Sequence, residues 1–132
     1  MPATTPVLEA RLVILRGLEV LRLMGDRVEN RHDVDGEDLQ VVLGFMDEVA
    51  HRCLAAGRLD KAQSLFLQLR RASRLNSSDE FVLVSRSYTS LLADIFLADS
   101  LQQIELEVRE AARRHSPLFH RLESKYTSPH CI

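Results

Sequence analysis

The 132-residue sequence has no tryptophan, and its aromatic residues amount to only 5%. A base-stacking surface for single-stranded nucleic acid is therefore not expected. Positive charge is not in excess either. Seventeen Lys and Arg stand against nineteen Asp and Glu, a net charge of −2, so no broad basic field exists to hold a phosphate backbone. Glycine (5) and proline (4) are scarce, which argues against collagen-like, linker-like and turn-dense all-β chains. No apolar run approaches the roughly 20 residues that a membrane span needs. The two cysteines, Cys53 and Cys131, make no disulfide framework. Both are expected as free thiols in a reducing compartment. The opening Met1-Pro2-Ala3-Thr4-Thr5-Pro6 has neither the basic region nor the apolar region of a secretory signal. A cytoplasmic, soluble protein is the expectation.

What is present is an ordinary globular mix, 45% apolar and 27% charged. The length suits one domain across residues 1–132. Periodicity predicts helix nearly everywhere. From Val7 to about Asn30, Ile14, Leu18, Leu21, Met24 and Val28 recur three and four apart, the spacing of one helix face. Leu12, Val13, Leu15, Val20 and Leu23 widen that stripe, so this helix is expected to be buried on two sides or to join an oligomer. Asp35 is a cap for a second helix, with Glu37 and Asp38 in its first turn. Its stripe runs through Leu39, Val42, Met46, Val49 and Cys53, bends near Gly57, and resumes through Leu59, Ala62, Leu65, Phe66 and Leu69. Asn76-Ser77-Ser78-Asp79 reads as a turn and cap. A third helix spans about Asp79 to Leu97, with Phe81, Val84, Tyr88, Leu91 and Ile95 inward. Ser100 and Gln103 form a capping box that opens a fourth helix through Leu101, Ile104, Val108, Ala111, His115, Leu118 and Leu122. Ser116-Pro117 kinks or breaks that helix. The predicted fold is an all-α, up-down-up-down four-helix bundle, with residues 1–6 and 127–132 frayed.

Some of these segments resemble a known family. Leu8-Glu9-Ala10-Arg11-Leu12-Val13-Ile14-Leu15-Arg16 and Leu18-Glu19-Val20-Leu21 look like the first helix of hemerythrin-like domains. Asp33-Val34-Asp35-Gly36-Glu37-Asp38-Leu39 and Val49-Ala50-His51-Arg52-Cys53 look like the start and middle of that family's second helix. Leu65-Phe66 and Leu118-Phe119-His120-Arg121-Leu122-Glu123 are similar to the stretches that follow its metal-binding turns. The resemblance implies a four-helix scaffold and a pair of non-haem irons held by histidines and carboxylates. The ligands themselves are missing. Ala10 stands where the first helix would offer His. Leu54-Ala55-Ala56-Gly57-Arg58 replaces a His and a Glu. Val82 stands before Arg86 where a third-helix His belongs. His115 is the vestige of a fourth-helix ligand, followed by Ser116-Pro117. One core-facing His cannot hold two irons.

His115 is thus the one candidate metal ligand, with Asp94, Glu110 or solvent completing a reduced shell. The favoured alternative is a half-buried histidine bonded to a neighbouring carbonyl or carboxylate. His115 and His120 are five apart, a poor fit to one helix face. His32 and His51 are expected in solvent, and His130-Cys131 in a frayed tail. Gly57, Leu59, Asp60, Ala62 and Phe66 match part of a tetratricopeptide repeat, but no second turn glycine follows near Leu91. Glu105, Glu107 and Glu110 read as a solvated face. Arg70-Arg71-Ala72-Ser73 matches a basic-directed phosphorylation site, with a solvated helix end as the simpler account. No nucleophile motif, phosphate-cradling loop or Cys-x-x-Cys is present.

The expectation is therefore a non-enzymatic hemerythrin-like bundle, its di-iron site lost, acting as a binding or structural module without a cofactor. Its partner would be a protein or a second copy, met through the first helix, with neither nucleic acid nor membrane involved. The alternatives are a non-haem iron or oxygen-binding protein with a reduced site at His115, and a tetratricopeptide-like adaptor for a peptide.

Overall fold

The computed structural model describes residues 5–97 and 104–127. Among these residues the fold is all-helical. Five helices follow in order: α1 (Thr5–Glu29), α2 (Gly36–Cys53), α3 (Ala56–Arg74), α4 (Ser78–Leu97) and α5 (Leu106–Thr127). No helix is long and apolar enough to cross a membrane. Ser100, Leu101, Gln103, His130, Cys131 and the side chain of Ile95 lie outside the described residues.

The predicted second helix is two helices. The chain leaves the α-helical region at Leu54 (φ −102°, ψ 141°) and Ala55 (φ −66°, ψ 154°). The break precedes Gly57, which lies inside the first turn of α3 and does not adopt a positive φ. His51 and Arg52 occupy the last turn of α2, where the helix dipole favours positive charge. At the other end of α2, Asp35 caps as the sequence predicts, its carboxylate accepting the Glu37 amide at 2.8 Å.

Two turns close in the same manner. His32 N–H bonds to Arg27 O at 2.8 Å, and Ser77 N–H to Ala72 O at 3.0 Å. Each bond spans a left-handed residue, Arg31 (φ 62°) and Asn76 (φ 52°), the arrangement that satisfies the final carbonyls of a helix.

The contacts fix the directions. Arg11 reaches Phe96 and Arg86 reaches Glu29, so α4 is antiparallel to α1. Asp38 meets Lys125 and Phe45 meets Phe119, so α5 is antiparallel to α2. The break at Leu54-Ala55 adds one reversal, and α5 therefore lies parallel to α1. A four-helix alternation would have made the first and last helices antiparallel. α1 packs on α5, α4 and α2, and α3 packs on α4 and α2. This explains the wide stripe of α1: Val13, Ile14, Leu18, Val20, Leu21 and Met24 are all buried within the chain. Leu15, Leu23 and Val28 are half-buried, and Leu12 stays exposed.

α5 continues through Pro117 without a break. Beyond it the core position passes to Phe119, fully buried, while Leu118 is only half-buried. In α4 the core follows Tyr88, Leu92 and Phe96, a spacing of four that displaces Leu91 from the centre.

Candidate functional site

His115 is half-buried on α5. Its Nδ1–H donates to the Ala111 carbonyl at 2.7 Å, which leaves Nε2 as the acceptor nitrogen. The ring lies 4.8 Å from that of Phe45 and 5.6 Å from that of Phe119, so its surroundings are aromatic. Asp94 and Glu110 are exposed. Glu110 opens toward α1, whereas His115 packs toward α2. Asp94 is on α4, which makes no contact with α5 among the described residues. The three side chains do not converge. No group of three or more His, Cys, Asp or Glu gathers among the described residues.

Two of the positions where the resemblance would place donors are apolar and packed, while Leu54 is half-buried and Arg58 exposed at the break between α2 and α3. Ala10 is 2% exposed and Val82 is 7% exposed. Neither side chain can ligate a metal, so these residues do not fit a di-iron centre. Cys53 is a free, half-buried thiol. Burial pushes its pKa up and Glu105 adds to this, while Arg52 opposes both. A thiol held protonated is a poor nucleophile. Tyr88 is fully buried, and its hydroxyl has no hydrogen-bond partner among the described residues. Burial and then the nearby Asp47 charge raise its pKa well above the ordinary phenol value. His32 and His51 are exposed, as expected. His51 bonds to Asp47 O and to Gln63. Glu105 and Glu107 both pair with Arg52 at the end of α2.

Among the described residues a groove of about 590 Å³ runs between α1 and α5. Its floor is Ala10 and Val13, and its walls include Leu12 and Leu106. Arg16, Arg109 and Arg113 bring positive charge to it, Glu9 and Glu110 bring negative charge, and His120 lines it as well. Arg16 is tied down, with Nε 3.1 Å from Glu123 and a contact to His120. Arg109 Nε is buried without a partner among the described residues. The α5 wall follows Leu106, Arg109, Arg113, Ser116 and His120, three and four apart. That spacing is visible in the sequence, but the facing stripe lies about a hundred residues away on a parallel helix.

The chain matches no protein-family model, and neither curated proteins nor solved structures show a match to it.

Proposed function

We propose that this chain is a hemerythrin-like helical module that has lost the di-iron site and works by binding through its surface, not by catalysis. The observation that carries the reading is the packing of Ala10 and Val82, side chains without donor atoms, at positions where the resemblance calls for histidine. The two positions lie at opposite ends of the α1–α4 pair, and the core between the helices is held by apolar burial, worth roughly 25 cal/mol per Å². The free thiol of Cys53 fits a cytoplasmic setting. A tetratricopeptide-like adaptor is less well supported. Such arrays stack each unit on its sequence neighbours, whereas α1 packs on α4 and α5.

The test is metal content with an absorption spectrum, on protein expressed with iron and purified without chelator or affinity tag. The expected result is substoichiometric, spectrally silent metal that is unchanged in His115→Ala. Near two irons per chain with an oxo-bridged charge-transfer band would overturn the reading. Stoichiometric metal lost in His115→Ala would restore the reduced site at that residue.

A further inference from the structure

We propose that this chain has a second form, a domain-swapped dimer in which α2 and α3 fuse into one continuous helix and α1–α2 of one copy pack on α3–α5 of the other. The inference stands on the break at Leu54-Ala55. It goes beyond the reading above and does not depend on whether a metal is bound.

The break has no local cause. Leucine and alanine are among the best helix formers, and Gly57 already lies inside α3. Ala55 stands at the N-cap of α3 without a side-chain hydrogen bond, and alanine is a poor cap. Leu54 N–H still bonds to Ala50 O, and Leu59 N–H to Ala55 O. Between those two bonds, a continuous helix would join the amides of residues 55–58 to the carbonyls of residues 51–54. No backbone hydrogen bond among the described residues replaces them. The turns at Arg31 and Asn76 differ, since each is closed by its own bond across a left-handed residue. The reversal between α2 and α3 is held from outside, by the packing of both helices on the rest of the chain.

That packing can be supplied by a second copy. α1 packs on α4 and α5, and α2 packs on α3 and α5, so the part before the break is joined to the part after it along its whole length. Arg11 reaches the Phe96 carbonyl, Glu29 pairs with Arg86, Asp38 pairs with Lys125, and His51 bonds to Gln63. A swap repeats each of these contacts between copies and changes only the hinge. Straightened, residues 36–74 form a helix about 58 Å long at 1.5 Å per residue, with one half packed in each lobe of the dimer. Each of the two hinges regains the helix bonds that the break forgoes. Against this gain stands the free motion lost on association. The monomer therefore prevails in dilute solution and the dimer at high concentration. Exchange requires α1–α2 to leave the rest of the chain, so the two forms interconvert through partly unfolded protein.

The test is refolding of the full chain from denaturant at low and high protein concentration, followed by sedimentation velocity. Wild type should give monomer at low concentration and a dimer fraction at about 0.5 mM. Ala55→Pro is the deciding variant. Its ring suits the φ of −66° at Ala55, and the extended Leu54 is what proline requires before it. In a continuous helix the same ring would clash with the His51 carbonyl. This variant should keep the monomer and its circular dichroism and give no dimer at either concentration. Ala55→Gly should weaken the dimer about twentyfold, because both hinges carry the helix penalty of glycine. Connectivity is read with Glu29→Cys/Arg86→Cys, in a background of Cys53→Ala and Cys131→Ser, treated with a short bismaleimide. The Glu29 and Arg86 side chains meet at 2.5 Å from opposite sides of the break. The link should join two chains in the dimer fraction and stay within one chain in the monomer fraction. Monomer alone at both concentrations would overturn the proposal. A dimer that survives Ala55→Pro, or one linked only within chains, would overturn it as well, by placing the contact on an outer surface.

Discussion

The Tyr126 hydroxyl donates to Asp38 Oδ2 at 2.7 Å and accepts the Asp35 amide at 3.1 Å. One phenol near the end of α5 thereby holds the first turn of α2. Lys125 adds a second bond to the same carboxylate oxygen at 2.7 Å. The Arg27 guanidinium and the Lys125 ammonium lie 5.5 Å and 5.3 Å from the centre of the Tyr126 ring. Residues 88 positions apart are thus joined where α1, α2 and α5 meet.

Tyr126→Phe removes the hydroxyl and keeps the ring in place. It should lower stability by about 1–2 kcal/mol, the range for a charge-assisted hydrogen bond that is partly open to water. Denaturant unfolding followed by circular dichroism reads this as a lower midpoint with an unchanged slope. An unchanged midpoint would show that water replaces the phenol at Asp38 without cost.

The same clamp sets an acid limit. Burial raises the pKa of Asp38, but the hydrogen bonds from Lys125 and Tyr126 outweigh it, and the net value lies below the ordinary 3.8. A carboxylate depressed in the folded state contributes stability that is present above its unfolded pKa and is lost as pH falls through the folded pKa. Lys125 is raised, chiefly by its bond to Asp38, so its share is present at neutral pH and lost only at strongly alkaline pH. Lys125 is half-exposed, and solvent screening keeps that share small. Between about pH 4 and pH 2, wild type should therefore lose stability faster than Asp38→Asn. Urea midpoints measured across that range decide it, and parallel curves would remove Asp38 from the account.

Arg11 closes the far end of α4. Its Nε and Nη2 donate to the Phe96 carbonyl at 3.2 and 2.8 Å. The last carbonyls of a helix lack partners within it, and α4 carries no basic residue in its own last turn. Arg11→Ala should cost about 1–2 kcal/mol, and Arg11→Lys should recover part of that by keeping the charge without the fork. Hydrogen exchange should show the loss first at the last turn of α4, and uniform loss along the chain would contradict a capping role.

The limits of the sequence reading have physical causes. Helix content, the Asp35 cap and most of the inward face of α1 follow from spacing and cap chemistry, which act over a few residues. The break at Leu54-Ala55 carries no such signal, since both are good helix formers and Gly57 is the nearer punctuation. The Pro117 signal misleads in the opposite direction, because packing of Phe119 and Leu122 holds α5 together across it. The groove was half legible. Its α5 stripe is regular, but that Arg16 faces His120 across 104 residues depends on the number of chain reversals, and one unmarked break changes that number. His115 sits in the kind of bonded, half-buried setting that its carbonyl neighbour allows, and its aromatic companions could not be inferred from periodicity.

Gly17 sits where α1, α2 and α5 approach one another. A Cβ there would meet the Met46 methyl and would stand 3.0 Å from Phe119 Cε2. The Met46 side chain can swing aside, and Ala gains about 1 kcal/mol in helix propensity over Gly, so Gly17→Ala should be nearly neutral. Gly17→Val has no such escape against the Phe119 ring and should lose about 1–3 kcal/mol by overpacking. Thermal unfolding of the two variants checks the contrast, and equal melting temperatures would show that α5 yields at this point.

Pro117 offers the opposite test, a gain. It lies inside α5 and is exposed, so its ring contributes little to the core. Proline lacks the amide that would bond to the Arg113 carbonyl one turn earlier, and it crowds that carbonyl. Within a continuous helix, Pro117→Ala restores the bond and removes the clash, worth up to about 3 kcal/mol. Alanine also frees the unfolded chain, which offsets roughly 0.5–1 kcal/mol of the gain. A net rise of about 1–2 kcal/mol is expected in denaturant unfolding. A fall would mean that proline's fixed φ is needed there to start a new helical segment at Ser116, and that α5 is divided at that point.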